Sequence, residues 1–458
     1  MKMRMLVAGL VIMAVSGAAM AAEVEVLRAF DGNRGPGHKP GQDLSGAVGL
    51  KHVAELTDGG WMVHEKETGK VLQQMTLREF WNHVGAGKEA EKGTGFDPQK
   101  DCNDPKLIYD PLTDRWIAMV AGTGPTTKTY LAVSATGDPT GAWKGVTLPV
   151  PPRDPGVKVG FDRNGLYVLA HNGGNDLHNS GNCYVIPKSD TVAANGPSLA
   201  NLQIFENIEY PMAVGVDLDA NKSADGAEVL MNFDCYSGPT CDHLFMYKIT
   251  WDGKGGGGKA KISEKQTIQL SKTYLSPNAQ SHLVDCVQPS PGIKLRADGG
   301  RRTENLFAYK GSVFAANTAK VTKEGRTGIL WYEIRISDGK VMQEQYVDDA
   351  NLDYLYPALV VDGKGNIGIG CTGTSETENP SVYVMLKGLA DVAMGPAVCA
   401  LKGTTYYRYP GVRAVNWANY SSACLDPGDA GIMWVLQGYS ASEMDKQWCS
   451  GWAAFKAK

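Results

Sequence analysis

The stretch D-P-K-L-I-Y-D-P-L-T-D-R-W-I-A-M-V (Asp104 to Val120), followed by T-Y-L-A-V-S-A (Thr129 to Ala135) and T-G-D-P-T-G-A-W (Thr136 to Trp143), decides the fold. Short apolar runs rich in β-branched and aromatic residues alternate here with Pro, Asp and Gly. This pattern predicts a strand at Lys106 to Tyr109, a turn, a strand at Arg115 to Val120, a strand at Thr129 to Ala135, and a fourth opening at Trp143. Four antiparallel strands in a row read as one blade of a β-propeller.

The same grammar recurs along the chain, at a spacing of roughly 40 to 60 residues that indicates a ring rather than separate domains. Before this stretch come G-A-V-G (Gly46 to Gly49), H-V-A-E-L (His52 to Leu56), G-W-M-V-H-E-K (Gly60 to Lys66) and K-V-L-Q-Q-M (Lys70 to Met75). After it come Lys158 to Asn172 with Cys183 to Lys188, where Asn164-Gly165 predicts a hairpin turn. Ala227 to Asp234 with His243 to Ile249, and Asn305 to Asn317 with Ile329 to Ile336, make two further units, the second preceded by an insertion around Ser281 to Arg302. Ala358 to Gly370 with Ser381 to Met385, and Asn416 to Gly438 with Trp448 to Phe455, complete the series. The expected fold is therefore all-β, a seven-bladed β-propeller, with six blades as the alternative count. The last unit supplies only three strands, and open edges are a liability. The alternating segment E-V-E-V-L-R-A-F (Glu23 to Phe30) is expected to close the ring as its fourth.

The chain begins with Met1, Lys2, Met3 and Arg4, runs apolar from Met5 to Val15, and reaches the small residues Ala19, Met20 and Ala21. This order predicts a secretory signal peptide over residues 1–21, with 22–458 as a single propeller domain that is secreted or periplasmic. Fifty-five glycines and twenty-three prolines suit a turn-rich β chain. The formal charge of −4 over 458 residues indicates neither nucleic acid nor membrane insertion, and a monomer is expected. Nine cysteines in an exported chain suggest disulfides, Cys235 with Cys241 being the most local pair.

With these segments laid out, the chain resembles an uncharacterised family of secreted bacterial β-propellers that is distantly sialidase-like. The resemblance rests on G-A-V-G with H-V-A-E-L, the Asp104 blade, A-V-S-A-T-G-D-P-T-G-A-W, the W-Y-E-I strand, Y-P-A-L-V-V-D-G-K-G-N and N-Y-S-S-A-C-L-D-P. It covers nearly the whole of the expected mature chain and speaks for architecture more than chemistry. Thr136, Asp138, Thr140 and Trp143 look like a degenerate Asp-box, the hairpin signature of sialidases, with Thr140 where glycine is usual. The closing R-W-G-D-Y-S of the family is N-W-A-N-Y-S here, Asn416 and Asn419 replacing an arginine and an aspartate.

Residues just ahead of each inner strand line one mouth of a propeller channel. This logic gathers Asp104, Asp154, Tyr210, Tyr356 and Asn419, with Arg302 or Arg301, as candidate ligand-binding residues. Tyr210 and Tyr356 would stack on a sugar ring, and Asp104 and Asp154 would accept hydrogen bonds. The other reading is that Asp-Pro and Tyr-Pro merely begin strands. A second candidate is D-L-D-A-N-K-S-A-D-G-A-E, where Asp217, Asp219, Asn221, Asp225 and Glu228 have the oxygen-ligand spacing of a Ca2+ loop. Lys222 stands where that loop wants glycine, and an acidic solvated hairpin is the alternative. Function is thus expected to be recognition of a glycan, cell-envelope or protein partner at the channel mouth. Glycoside hydrolysis at the same mouth, or a purely structural ring, are the alternatives. No catalytic residues are assigned: the histidines are scattered and no G-x-S-x-G elbow occurs.

Overall fold

The computed structural model describes residues 22–34, 43–85, 102–122, 128–150, 157–171, 180–209, 213–218, 227–233, 242–253, 258–272, 283–290, 292–298, 305–320, 326–408, 411, 413–417, 420–442 and 447–458. The described residues are all-β apart from two short helices. The Asp104 stretch folds as expected into Cys102–Asp110, Arg115–Gly122, Thr129–Ser134 and Trp143–Leu148, hydrogen-bonded in that order. The preceding segment gives Leu44–Val48, His52–Thr57, Gly60–Glu65 and Val71–Met75. Asp353–Val361, Ile367–Thr374, Ser381–Lys387 and Val398–Leu401 form another such sheet.

Three consecutive units are joined through their innermost strands into one larger sheet. They start at Val157–Phe161, Ala213–Asp217 and Leu306–Tyr309, which pair in parallel, Phe161 opposite Val216 and Gly215 opposite Leu306. The N-terminal strand Val24–Arg34 runs antiparallel to Gln447–Ala457, from Val24 opposite Ala457 to Arg34 opposite Cys449. It is the outer strand of a sheet whose other members, Ser422–Leu425, Met433–Ser442 and Gln447–Ala457, end the chain.

Neighbouring sheets bury their faces against one another. Trp61, Phe80, Trp116 and Trp143 fill the space between the first two sheets, Trp61 stacking on Phe80 at 4.6 Å. Gly46 allows a close approach of the first and last sheets, since a Cβ there would lie 2.5 Å from the Trp452 ring. One repeated device ties turns to these contacts. Asp110, Asp162, Asp362 and Asp426 stand at or just beyond the ends of innermost strands, almost wholly buried, and each carboxylate accepts backbone N–H groups of the following turn. Two of them also receive a lysine from the next unit: Lys188 Nζ lies 2.6 Å from Asp110, and Lys66 Nζ 3.0 Å from Asp426. Such pairs withstand burial because hydrogen bonds fill the remaining lone pairs.

The structure differs from the expected order of units at one point, and adds a helix. The insertion before Leu306 contributes Leu283–Cys286 and Lys294–Asp298, which form a separate three-stranded sheet with Ala414–Asn416. The last unit therefore begins at Ser422 and not at Asn416. Residues Leu77–His83 form a helix, Thr76 and Glu79 exchanging the reciprocal hydrogen bonds of a capping box. Disulfides are absent among the described cysteines: Cys183, Cys286, Cys371, Cys399, Cys424 and Cys449 are all thiols, and Cys235 and Cys241 lie outside the described residues. No described helix is long and apolar enough to cross a membrane.

Candidate functional site

The innermost strands enclose a cavity of about 260 Å³. Its walls come from Leu44–Val48, Cys102–Asp110, Val157–Phe161, Ala213–Asp217, Leu306–Tyr309 and Ser422–Leu425, so it lies where the units converge. Most of the lining is apolar, as strands buried on both faces require. Two lysines break that rule. Lys106 and Lys158 are 8 % and 4 % exposed, and their ammonium nitrogens lie 3.7 Å and 4.1 Å from the centroid of the Tyr420 ring. The ring carries a negative face toward cations, an attraction that strengthens when water is excluded.

The other polar groups of the lining mostly hold the walls together. Ser45 donates its hydroxyl to the Leu107 carbonyl (3.4 Å) and accepts from the Leu107 N–H (2.8 Å). Ser422 accepts from the Gly46 N–H at 3.0 Å, and the Asn305 amide donates to the Ser421 carbonyl at 2.9 Å. Asp426, the sole carboxylate among the described lining residues, is engaged by Lys66, by the Trp434 indole N–H at 2.9 Å and by turn amides. Cys424 also lines the cavity, but burial pushes its thiol up to about 12, so it stays protonated and is a poor nucleophile. The arrangement offers ammonium groups beside an aromatic ring, which is chemistry for holding an anion.

Two of the sequence-derived mouth residues fall within the described structure. Asp104 sits at φ +54° and Tyr356 at φ +47°, each just before a proline and each within a break in strand register. A side chain in that left-handed conformation costs about 1–3 kcal/mol. The backbone is held there by hydrogen bonds, Asp104 N–H to Asp43 Oδ2 (3.2 Å) and Tyr356 N–H to Thr318 Oγ1 (2.9 Å). The X-Pro pairs thus mark bulges, which re-aim the residues that follow. Asp104 lies 4.0 Å from the Lys106 ammonium, beside the cavity. Tyr356 packs in an apolar cluster with Leu355, Tyr407 and Trp417 and is not part of the lining. Asp154, Tyr210, Arg302 and Asn419 lie outside the described residues.

Of the calcium run, Asp217 ends an innermost strand and is 3 % exposed, and Glu228 opens the next strand at 1 %. Asp219, Asn221 and Asp225 lie outside the described residues, and among the described residues no three metal-ligating side chains cluster. The Asp-box-like turn is a closed hydrogen-bonded unit: Asp138 Oδ1 accepts from the Thr140 N–H (2.9 Å) and hydroxyl (2.7 Å), and the Trp143 indole donates to the Pro139 carbonyl (2.9 Å).

Lys106, Lys158 and Tyr420 escaped the reading of the sequence. Their signal was a single charge inside an otherwise apolar strand, K-L-I-Y and V-K-V-G-F, and a tyrosine directly after Asn419.

No family model matches the chain. No curated protein matches it either. Solved structures of similar outline include a Trypanosoma rangeli sialidase in complex with 2,3-difluorosialic acid, at TM-score 0.37 and 10 % identity, covering 85 % of this chain and 55 % of the sialidase. This chain thus spans about half the length of that enzyme. A subtype N10 neuraminidase-like protein of A/little yellow-shouldered bat/Guatemala/060/2010 aligns at TM-score 0.32 and 10 % identity, covering 65 % of this chain and 93 % of that one. A PL25 ulvan lyase bound to -[GlcA(1-4)Rha3S]- aligns at TM-score 0.43 and 10 % identity, covering 92 % and 95 %.

Proposed function

We propose that this chain is an exported, seven-bladed β-propeller, closed by its N-terminal strand, that binds an acidic glycan in the cavity at its centre. The observation that carries the ligand class is the placement of the Lys106 and Lys158 ammonium groups on the Tyr420 ring in an otherwise apolar cavity. A sugar carboxylate or sulfate accepts charge-assisted hydrogen bonds from such lysines. The cavity volume of about 260 Å³ suits one sugar unit rather than an oligosaccharide, so the rest of a chain would lie outside it. Binding comes before hydrolysis in this reading. Glycoside hydrolysis calls for two carboxylates flanking the bond, and the described lining offers Asp426 alone, already engaged by Lys66 and Trp434.

The test is a calorimetric titration of the mature protein with uronic-acid and sulfated oligosaccharides beside their neutral counterparts, for the parent, Lys106→Met and Lys158→Met. A charge-assisted hydrogen bond contributes about 1.5–3 kcal/mol, so each substitution is expected to weaken acidic ligands by roughly 10- to 100-fold. Equal affinity for neutral and acidic sugars, or variants that bind like the parent, would overturn the reading.

A further inference from the structure

The backbone nitrogen of Ala22 is held. Asp391 Oδ2 accepts a hydrogen bond from the Ala22 N–H at 2.8 Å and another from the Gly388 N–H, also at 2.8 Å. The half-buried residue is also closely packed. A Cβ on Gly388 would lie 3.1 Å from the Ala22 Cβ, and one on Gly395 would lie 3.3 Å from the Ala22 carbonyl oxygen, so both glycines leave space that Ala22 uses. Ala22 packs against the apolar cluster that also receives Val24 and Val26 of the first strand. Beside it the chain ends meet, the Lys458 N–H donating to the Glu23 carbonyl (3.0 Å) and the Lys458 ammonium to the Glu23 carboxylate (2.8 Å).

This geometry coincides with the bond that the leader sequence marks for cutting. Ala19 and Ala21 are the small residues at the third and first positions before Ala22, the pattern a signal peptidase reads. We propose that hydrolysis of the Ala21–Ala22 peptide bond creates a new α-ammonium at Ala22 for which Asp391, framed by Gly388 and Gly395, is a built receptor. In that step water adds across the amide: the C–N bond breaks, the Ala21 carbonyl carbon takes the hydroxyl, and the nitrogen takes the proton. The amide of the uncut chain donates one hydrogen bond to Asp391. The cut chain brings a full positive charge and three donors to the same carboxylate, which strengthens the hold on the first strand. Processing and anchoring of the strand become one event. The proposal rests on the leader reading of residues 1–21 and is independent of what the central cavity binds.

An α-amino group titrates near 7.7–8.0 in an unfolded chain, and the carboxylate partner raises that value in the folded state. Its contribution is therefore complete below about pH 7.5 and is lost as the pH climbs through the raised value. The other charged groups near this corner are Lys387, Glu333 and the Glu23–Lys458 pair. They are common to all forms compared.

The experiment has two arms. First, the full chain is expressed with its own leader into a bacterial periplasm, and intact mass with N-terminal sequencing is expected to show a start at Ala22; a start at any other residue would overturn the cleavage site. Second, the melting temperature of protein beginning at Ala22 is compared with that of protein retaining two extra residues before it, at pH 6.5 and pH 10, each with and without Asp391→Asn. The free Ala22 form is expected to melt higher at pH 6.5, with the gap closing at pH 10 and absent in Asp391→Asn. Equal melting of the two forms at pH 6.5, or a gap that survives Asp391→Asn, would overturn the receptor while leaving the cleavage site standing.

Discussion

Glu228 is a carboxylic acid buried away from the protein surface. It is 1 % exposed, its oxygens lie close to the backbone of Gly215 and Val229 without a well-formed hydrogen bond, and Asp162 and Asp217 are its charged neighbours. Burial first, and then the negative charge of those two aspartates, pushes its carboxyl well above the usual carboxylate range. The folded protein thus holds a proton that the unfolded chain releases near pH 4.3. Stability is lost as the pH rises from that value, because the unfolded state binds fewer protons. Replacing the acid with its neutral isostere removes this term. Glu228→Gln is expected to leave the melting temperature unchanged at pH 4, to raise it at pH 8, and to flatten the decline between, as read by calorimetric scans across that range.

Among the elements, the helix Leu77–His83 shows how a short local signal governs packing. The Thr76 hydroxyl accepts from the Glu79 N–H at 3.2 Å and Glu79 returns the bond to the Thr76 N–H at 2.8 Å, which seats Phe80 and Trp81 against Trp61. Thr76→Ala is expected to cost about 1 kcal/mol in urea unfolding at constant slope. The run Asp217 to Glu228 carries the expectation of a Ca2+ site, which we keep as a proposal. Calcium needs Glu228 ionised, so its binding would release a proton and tighten as the pH rises. Addition of Ca2+ to chelator-treated protein is expected to raise the melting temperature, more at pH 8 than at pH 5; an unchanged value at both would end the idea. The strands were legible because turn residues such as Asn164-Gly165 and Thr68-Gly69 punctuate apolar runs, and period two needs no tertiary context. The helix was passed over although its Thr76/Glu79 spacing is plain in the sequence. Asn416 was given to the wrong sheet, since a strand of three residues does not specify its partner. Lys106 and Lys158 were missed for a different reason: a strand buried on both faces does not reveal which face meets a cavity.

At the scale of the whole molecule, the formal charge is −4 while the central cavity presents two lysines. The small net negative charge and the two cavity lysines act on an anionic ligand in opposite senses: the first repels weakly at long range and is screened by salt, the second attracts at contact. The pairing of the first strand with the last is the other property that belongs to the whole. Glu23 and Lys458 touch across a separation of 435 residues. Joining Lys458 to Ala22 and opening the chain in the glycine run Gly255 to Gly258 would turn Val24–Arg34 and Gln447–Ala457 into a local hairpin. The permuted protein is expected to refold faster than the parent in stopped-flow measurements, since closing a long loop is the slow part of a non-local pairing. In the natural order the clock runs the other way. A ribosome adding about 5–20 residues per second finishes the partner of the first strand tens of seconds after making that strand. Throughout that interval the first strand has no partner strand, and whatever keeps its unpaired backbone from neighbouring chains decides the yield of folded protein.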